Sequence, residues 1–223
     1  MTHTWQLQVN LLPLVLAGLA AVQSGAAQSS EGQTGLVIHV RNYAEVEAKR
    51  LVKAENVASG IFRKAGVETS WVDVRDTPQD QSDNSANPSL NSLLDIRLHI
   101  VSSPMAERLA QPSNVMGLTP GSGSDRRLVY VFYDSVRQLS ERQLQAQSKG
   151  DISLHASAEQ ILGEMIAHEI GHLLLNMPSH SKTGIMRGAW DLKDLSDIAY
   201  SSLIFTRSQA EIMRKEIRRR SNP

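Results

Sequence analysis

Residues 157–176 read SAEQILGEMIAHEIGHLLLN, and this stretch decides the fold. Ile161, Leu162, Met165, Ile166, Ile170, Leu173 and Leu174 recur at three- and four-residue intervals, the pattern of a helix buried on most of its surface. Ser157 and Gln160 form a capping-box pair, which predicts a helix start near Ala158. Asn176 tolerates the left-handed conformation that closes a helix, and Pro178 bars its continuation. His168, Glu169 and His172 fall on the last two turns. Two histidines four apart project from one face, one turn above the other, so both imidazoles can reach a single metal ion. The glutamate beside the first can reach a water on that metal without being a ligand itself. A metal held this way makes water acidic and polarises a carbonyl, so the motif points to hydrolytic chemistry.

A catalytic zinc site normally has three protein ligands. Downstream comes Ser179-His180-Ser181-Lys182-Thr183-Gly184-Ile185-Met186, and His180 follows the helix stop closely enough for the chain to fold back. These residues resemble the metzincin metallopeptidases, whose signature is HExxHxxGxxH followed by a methionine turn. The match rests on His168, Glu169, His172, His180 and Met186. The chain departs from that pattern at two places: Leu175 stands where the family has glycine, and Pro178 where it has the third histidine. His180 comes two residues later. Asn176 can do the glycine's work one residue further on, with a longer loop to suit. The stretch from His168 to Trp190 also looks like a group of bacterial secreted zincin-like proteins, in which a similar His-Ser-x-x-Gly-Ile-Met follows HEIGHLLL.

The resemblance implies an α+β fold: a single zincin-like domain with a mixed twisted sheet packed on helices, a central active-site helix and a helical C-terminal part. It implies Zn2+ held by His168, His172 and His180, Glu169 as general base, Met186 in a turn beneath the metal, and a peptide or protein substrate cleaved by a zinc endopeptidase. Two alternatives stay open. In gluzincins the third ligand is acidic, here Asp191, Asp194 or Glu211. The fold can also persist as a binding or regulatory module with weak or no peptidase activity.

The first 27 residues hold no Asp, Glu, Lys or Arg, carry an apolar run from Leu11 to Val22, and end in Gly25-Ala26-Ala27. Residues 1–27 therefore read as a secretory signal peptide cut after Ala27, with a secreted or periplasmic product. The apolar run falls short of the about twenty residues that span a bilayer, so no stable membrane association is expected after cleavage. Only His3 precedes it in place of Lys or Arg, and an uncleaved anchor is the alternative. There is no cysteine, which excludes disulfides, thiolate ligands and latency maintained by a cysteine on the metal. The 23 basic and 23 acidic residues all lie in residues 28–223, read as one domain, and balance there. That neutrality argues against nucleic acid as a partner.

Along the chain, Leu36 to Val40, Val67 to Val74, Asp95 to Val101 and Leu128 to Tyr133 read as strands. Ala44 to Ala65 reads as a helix stopped by Gly66, giving a β-α-β start. Asp76 to Ser92 and Gln111 to Asp125 read as polar and Gly/Ser/Pro-rich loops. Ser135 to Ser148, Asp191 to Tyr200 and Ser208 to Arg219 read as further helices. By resemblance, Leu128 to Tyr133 is the strand expected nearest the cleft, either as the edge that takes up a substrate or as an ordinary core strand.

Other residues carry weaker signals. His39 and His99 sit in apolar strands as structural histidines, and His155 precedes the helix cap in a solvent position. Glu164 either orients His168 from one turn away or stands exposed. Tyr200 has a spacing that compels no role. The basic run from Arg214 to Arg220 reads as charge complementing the C-terminal end of its own helix.

Overall fold

In β1 (Leu36–Asn42) the side chains of Leu36, Ile38 and Val40 are fully buried and those between them are half exposed, the two-residue alternation of a strand covered on one face. β2 (Thr69–Asp73), β3 (Asp95–Val101) and a later strand, β5 (Leu128–Phe132), join β1 in parallel, and β4 (Gly117–Leu118) closes the sheet antiparallel to β5. The strand order is β2-β1-β3-β5-β4. The computed structural model describes residues 35–74, 94–112, 114–121, 126–146, 155–176, 180–190 and 192–222, all within one compact unit. The leader 1–27, the loop 76–92 and the helix stop at Pro178 lie outside them.

The expected β-α-β start is present. α1 (Ala48–Lys64) lays Leu51, Ala54, Ala58, Ile61 and Phe62 into the core, and the chain turns at Gly66 with φ +76°, a conformation glycine adopts without strain. α2 (Ser103–Arg108) packs against α3 (Tyr133–Ala146), which in turn meets α4. α4 (Ala158–Leu175) has both bonds of its Ser157–Gln160 capping box, and Asn176 ends it at φ 49°, ψ 34°. α5 (Leu192–Tyr200) and α6 (Arg207–Ser221) complete the fold. It is a mixed, mostly parallel sheet packed with helices, with a helical C-terminal part, as expected. Among the described residues no helix is long and apolar enough to cross a membrane.

α4 is the hub. It meets α1, α3, α5, α6, β4 and β5, and every residue from Ile161 to Leu175 is buried. Being enclosed on all sides explains why it is apolar all round rather than striped. Gly163 lets α1 come close, because a Cβ there would lie 2.5 Å from the Ala54 carbonyl oxygen and 2.6 Å from Val57 Cβ. Gly163→Ala is therefore expected to lower stability by about 1–3 kcal/mol, overpacking outweighing a helix-propensity gain of about 1 kcal/mol. The shift in urea midpoint measures it, and an unchanged or higher midpoint would refute the tight crossing.

Two details differ from the sequence reading, and one open alternative is decided. β4 lies inside the stretch read as loop, because two paired residues leave no periodicity to detect. β5 is therefore interior, and the edge beside α4 belongs to β4. α2 was not foreseen: its N-terminal amide at Ser103 is capped across the chain by the Asp134 carboxylate at 2.7 Å, not by a local residue.

Candidate active site

The last turns of α4 hold His168, Glu169 and His172 in a largely buried position, 4%, 5% and 9% exposed. His180, which is exposed, arrives from the segment after the helix. A tight loop places it: the Ser181 amide donates to the Met186 carbonyl at 2.8 Å, and the Arg187 amide to the Gly184 carbonyl at 3.2 Å. Gly188 sits against the ring, where a Cβ would come within 2.8 Å of His180 Cγ and Nδ1. His168 Nε2 and His172 Nε2 are 3.1 Å apart, and one ring nitrogen from each of the three histidines lies within 4.8 Å of the others. Among the described residues this is the cluster that could hold a metal ion.

The donor set fits zinc. His168 Nδ1 lies 2.7 Å from the Ile185 carbonyl oxygen, which can only accept, so the proton sits on Nδ1 and Nε2 presents a lone pair. Burial, with His172 and His180 adding to it, pushes His168 down to about 4, against the Ile185 bond. Two imidazole nitrogens facing each other at that distance suit a shared cation, and three imidazoles suit Zn2+. Met186 is 1% exposed, and its Sδ lies so close to α4 that a Cβ on Gly171 would be 2.6 Å away. The turn that carries Met186 thus packs directly against the helix.

Glu169 is clamped by β4 and the residues after it. The Thr119 hydroxyl lies 2.8 Å from Glu169 Oε2 and 2.9 Å from the Glu169 carbonyl oxygen. Gly117 has no room for a side chain, since a Cβ would overlap the Glu169 carboxyl. Burial raises the Glu169 carboxyl to about 7, with the Thr119 bond working the other way. A cleft opens on both sides of this point. One arm, about 290 Å³, is lined by Met116, His168 and Trp190 among others; the second, about 240 Å³, by Leu118, Thr119, Arg126 and His172. Gly117, Glu169 and His180 line both.

Two arginines close the C-terminal end of α4. Arg126 Nη2 donates to the His172 carbonyl at 3.0 Å, and Arg220 Nη2 to the Leu173 carbonyl at 3.0 Å. They satisfy carbonyls the helix leaves without partners and place positive charge at its negative pole. Arg220 is 1% exposed, so this part of the basic run serves α4 as well as its own helix, where it also pairs with Glu216 at 2.8 Å.

Of the acidic alternatives for a third ligand, the described Asp194 and Glu211 do not join this cluster. Asp194 pairs with Arg187 at 2.6 Å, Glu211 is on the exposed side of α6 with Arg207 at 3.4 Å, and Asp191 is outside the described residues. His39 approaches Asp95 at 3.5 Å, His99 lies edge-on between Tyr43 and Tyr130, and His155 is exposed. Tyr200 is 73% exposed. Glu164 is neither exposed nor bonded to His168: fully buried, it accepts the Leu203 amide at 3.1 Å. Thr119 and Arg126 escaped the sequence reading, and so did the bond from Arg220 to α4. Gly117 was read only as part of the loop 111–125, although a glycine between apolar neighbours is where a backbone can approach closely.

Burial also carries the Glu164 carboxyl from 4.5 up to about 8, with the Leu203 amide, Ser202 and Lys64 opposing. A raised folded-state value stabilises below the unfolded value and loses that contribution as pH climbs through the folded one. Relative to Glu164→Gln, the native protein should therefore lose up to about 1.4 kcal/mol per pH unit between pH 4.5 and 8, and nothing more above. Urea midpoints of both proteins across that window test this; a constant gap would contradict it.

No family model matches the chain, and no curated protein matches it. Among solved structures it is similar to archaemetzincin from Methanopyrus kandleri, at 13% identity and TM-score 0.48 over 85% of this chain and 99% of that one. It is also similar to a zinc-dependent peptidase from Methanocorpusculum labreanum, at 16% identity and TM-score 0.45 over 79% of this chain and 99% of that one.

Proposed function

We propose that the chain is a zinc-dependent endopeptidase, exported by its leader segment 1–27. The observation that carries this reading is the meeting of three imidazoles with the buried carboxyl of Glu169 at the centre of a two-armed cleft. Zinc bound there would activate water as a nucleophile and polarise the scissile carbonyl. His168, His172 and His180 would hold it through neutral ring nitrogens, His168 oriented by the Ile185 carbonyl.

Glu169 accepts the proton of the attacking water and returns it to the leaving amine nitrogen. Thr119 engages its Oε2 and so fixes which carboxylate oxygen meets the water. The outer edge of β4 offers backbone groups to an extended peptide laid across Glu169, a strand added to the sheet. Chain continuing in both arms of the cleft favours cleavage within a peptide over trimming at an end.

The test is a mixed peptide library with the purified protein. About one zinc per chain is expected, with hydrolysis that disappears on chelation and returns when zinc is restored. Stoichiometric zinc without cleavage of any peptide would overturn the peptidase reading.

A further inference from the structure

Glu164 is a fully buried ionisable group on the catalytic helix that the proposed chemistry leaves unused. Three hydrogen bonds lead from it back to the metal site. The Leu203 amide donates to Glu164 Oε1 at 3.1 Å. The next residue, Ile204, accepts the Ile185 amide at 3.1 Å. The carbonyl of that same Ile185 accepts His168 Nδ1–H at 2.7 Å. The path leaves α4 at residue 164 and returns to it one turn later at residue 168.

Packing holds the intermediate segment to this path. Leu203 and Phe205 are buried while Ile204 between them is 48% exposed, so the backbone of Ile204, not its side chain, faces the methionine turn. Gly184 at φ +74° presses against it, with a Cβ position 2.6 Å from the Ile204 carbonyl oxygen. Neither backbone can shift without the other.

We infer that Glu164 is a positioning residue for the metal site: by holding the Leu203 amide it anchors the backbone that leads to the Ile204 carbonyl, and so sets the Ile185 carbonyl and the direction in which His168 presents Nε2. The inference rests on the reading of His168, His172 and His180 as a zinc site. Partners behind a metal-bound histidine fix its ring and its basicity, and their loss weakens binding by about 10–100-fold. Here that partner is a backbone carbonyl, and Glu164 is what keeps the carbonyl in place. A neutral acceptor suffices for the role, so glutamine should replace the carboxyl and methionine, of similar shape but unable to accept the amide, should not.

The experiment compares zinc affinity and the visible spectrum of the cobalt-substituted protein for wild type, Glu164→Gln and Glu164→Met. Glu164→Met should bind zinc about tenfold more weakly with a shifted cobalt spectrum, and Glu164→Gln should match wild type within about twofold. A folded Glu164→Met protein with native affinity and spectrum would overturn the inference. Should that variant fail to fold, amide exchange in the wild type decides: zinc should slow the Ile185 and Leu203 amides together, beyond its effect on the β1–β2 ladder, because linkage is reciprocal. Protection of Ile185 with Leu203 unchanged would defeat it. If the wild type binds no zinc, the metal reading fails, and exchange of the His168 Nδ1–H in the metal-free variants still judges the relay: faster in Glu164→Met than in Glu164→Gln supports it, equal rates sink it.

Discussion

Glu169→Gln should retain zinc in full and lose turnover by about three orders of magnitude, within the 10²–10⁴ range that a positioned acid–base group contributes. The two side chains share shape and volume, and the amide oxygen can still take the Thr119 hydroxyl that now reaches Oε2 at 2.8 Å. The ring nitrogens that gather at the metal site do not involve Glu169. What disappears is a group able to take up a proton and release it again. Zinc content and kcat measured on the same preparation check the prediction. Normal zinc with turnover within tenfold of wild type would remove Glu169 from the chemistry and leave the cleft as a binding site.

His180→Ala should lower zinc affinity by more than about a hundredfold, beyond what losing an outer partner costs, while the unfolding midpoint of the metal-free protein barely moves. The separation follows from where the residue sits. His168 and His172 are enclosed by the core, so changing them disturbs packing as well as binding. His180 is exposed, held by the loop from Ser181 to Arg187 and by the flat face of Gly188, and its removal leaves no cavity. Titration with a competing chelator reads the affinity, and denaturation without metal reads the fold. Zinc affinity surviving the substitution would return the third ligand to an acidic residue, with Asp191 first in line.

How far the sequence foretold this molecule depends on whether the deciding interactions are local. α4 was legible end to end because its signals lie within itself: the Ser157–Gln160 box, the apolar spacing, the turn at Asn176. β3 was legible for the same reason, as a run of alternating apolar residues bounded by polar ones. The meeting of His180 with the other two histidines followed from a short loop and a motif. β4 was not legible, since a two-residue strand exists only through its pairing with β5. Thr119, Arg126 and Arg220 act on α4 across 46 to 50 residues of chain, and nothing local marks those contacts. Glu164 shows the limit from the other side. A carboxylate on an apolar helix reads as solvent-facing or as a neighbour of the next histidine, and its partner is an amide 39 residues away.

The Thr119 hydroxyl has one proton and two oxygens of the same residue within reach, the carboxylate Oε2 and the peptide oxygen of Glu169. A charged carboxylate draws that proton to itself; once the carboxylate has picked up a proton of its own, the peptide oxygen becomes the better acceptor. The hydroxyl can turn from one to the other by rotating a single bond. In either state the edge of the sheet remains tethered to the helix, so under the proposed chemistry the width of the groove would not depend on whether Glu169 carries a proton.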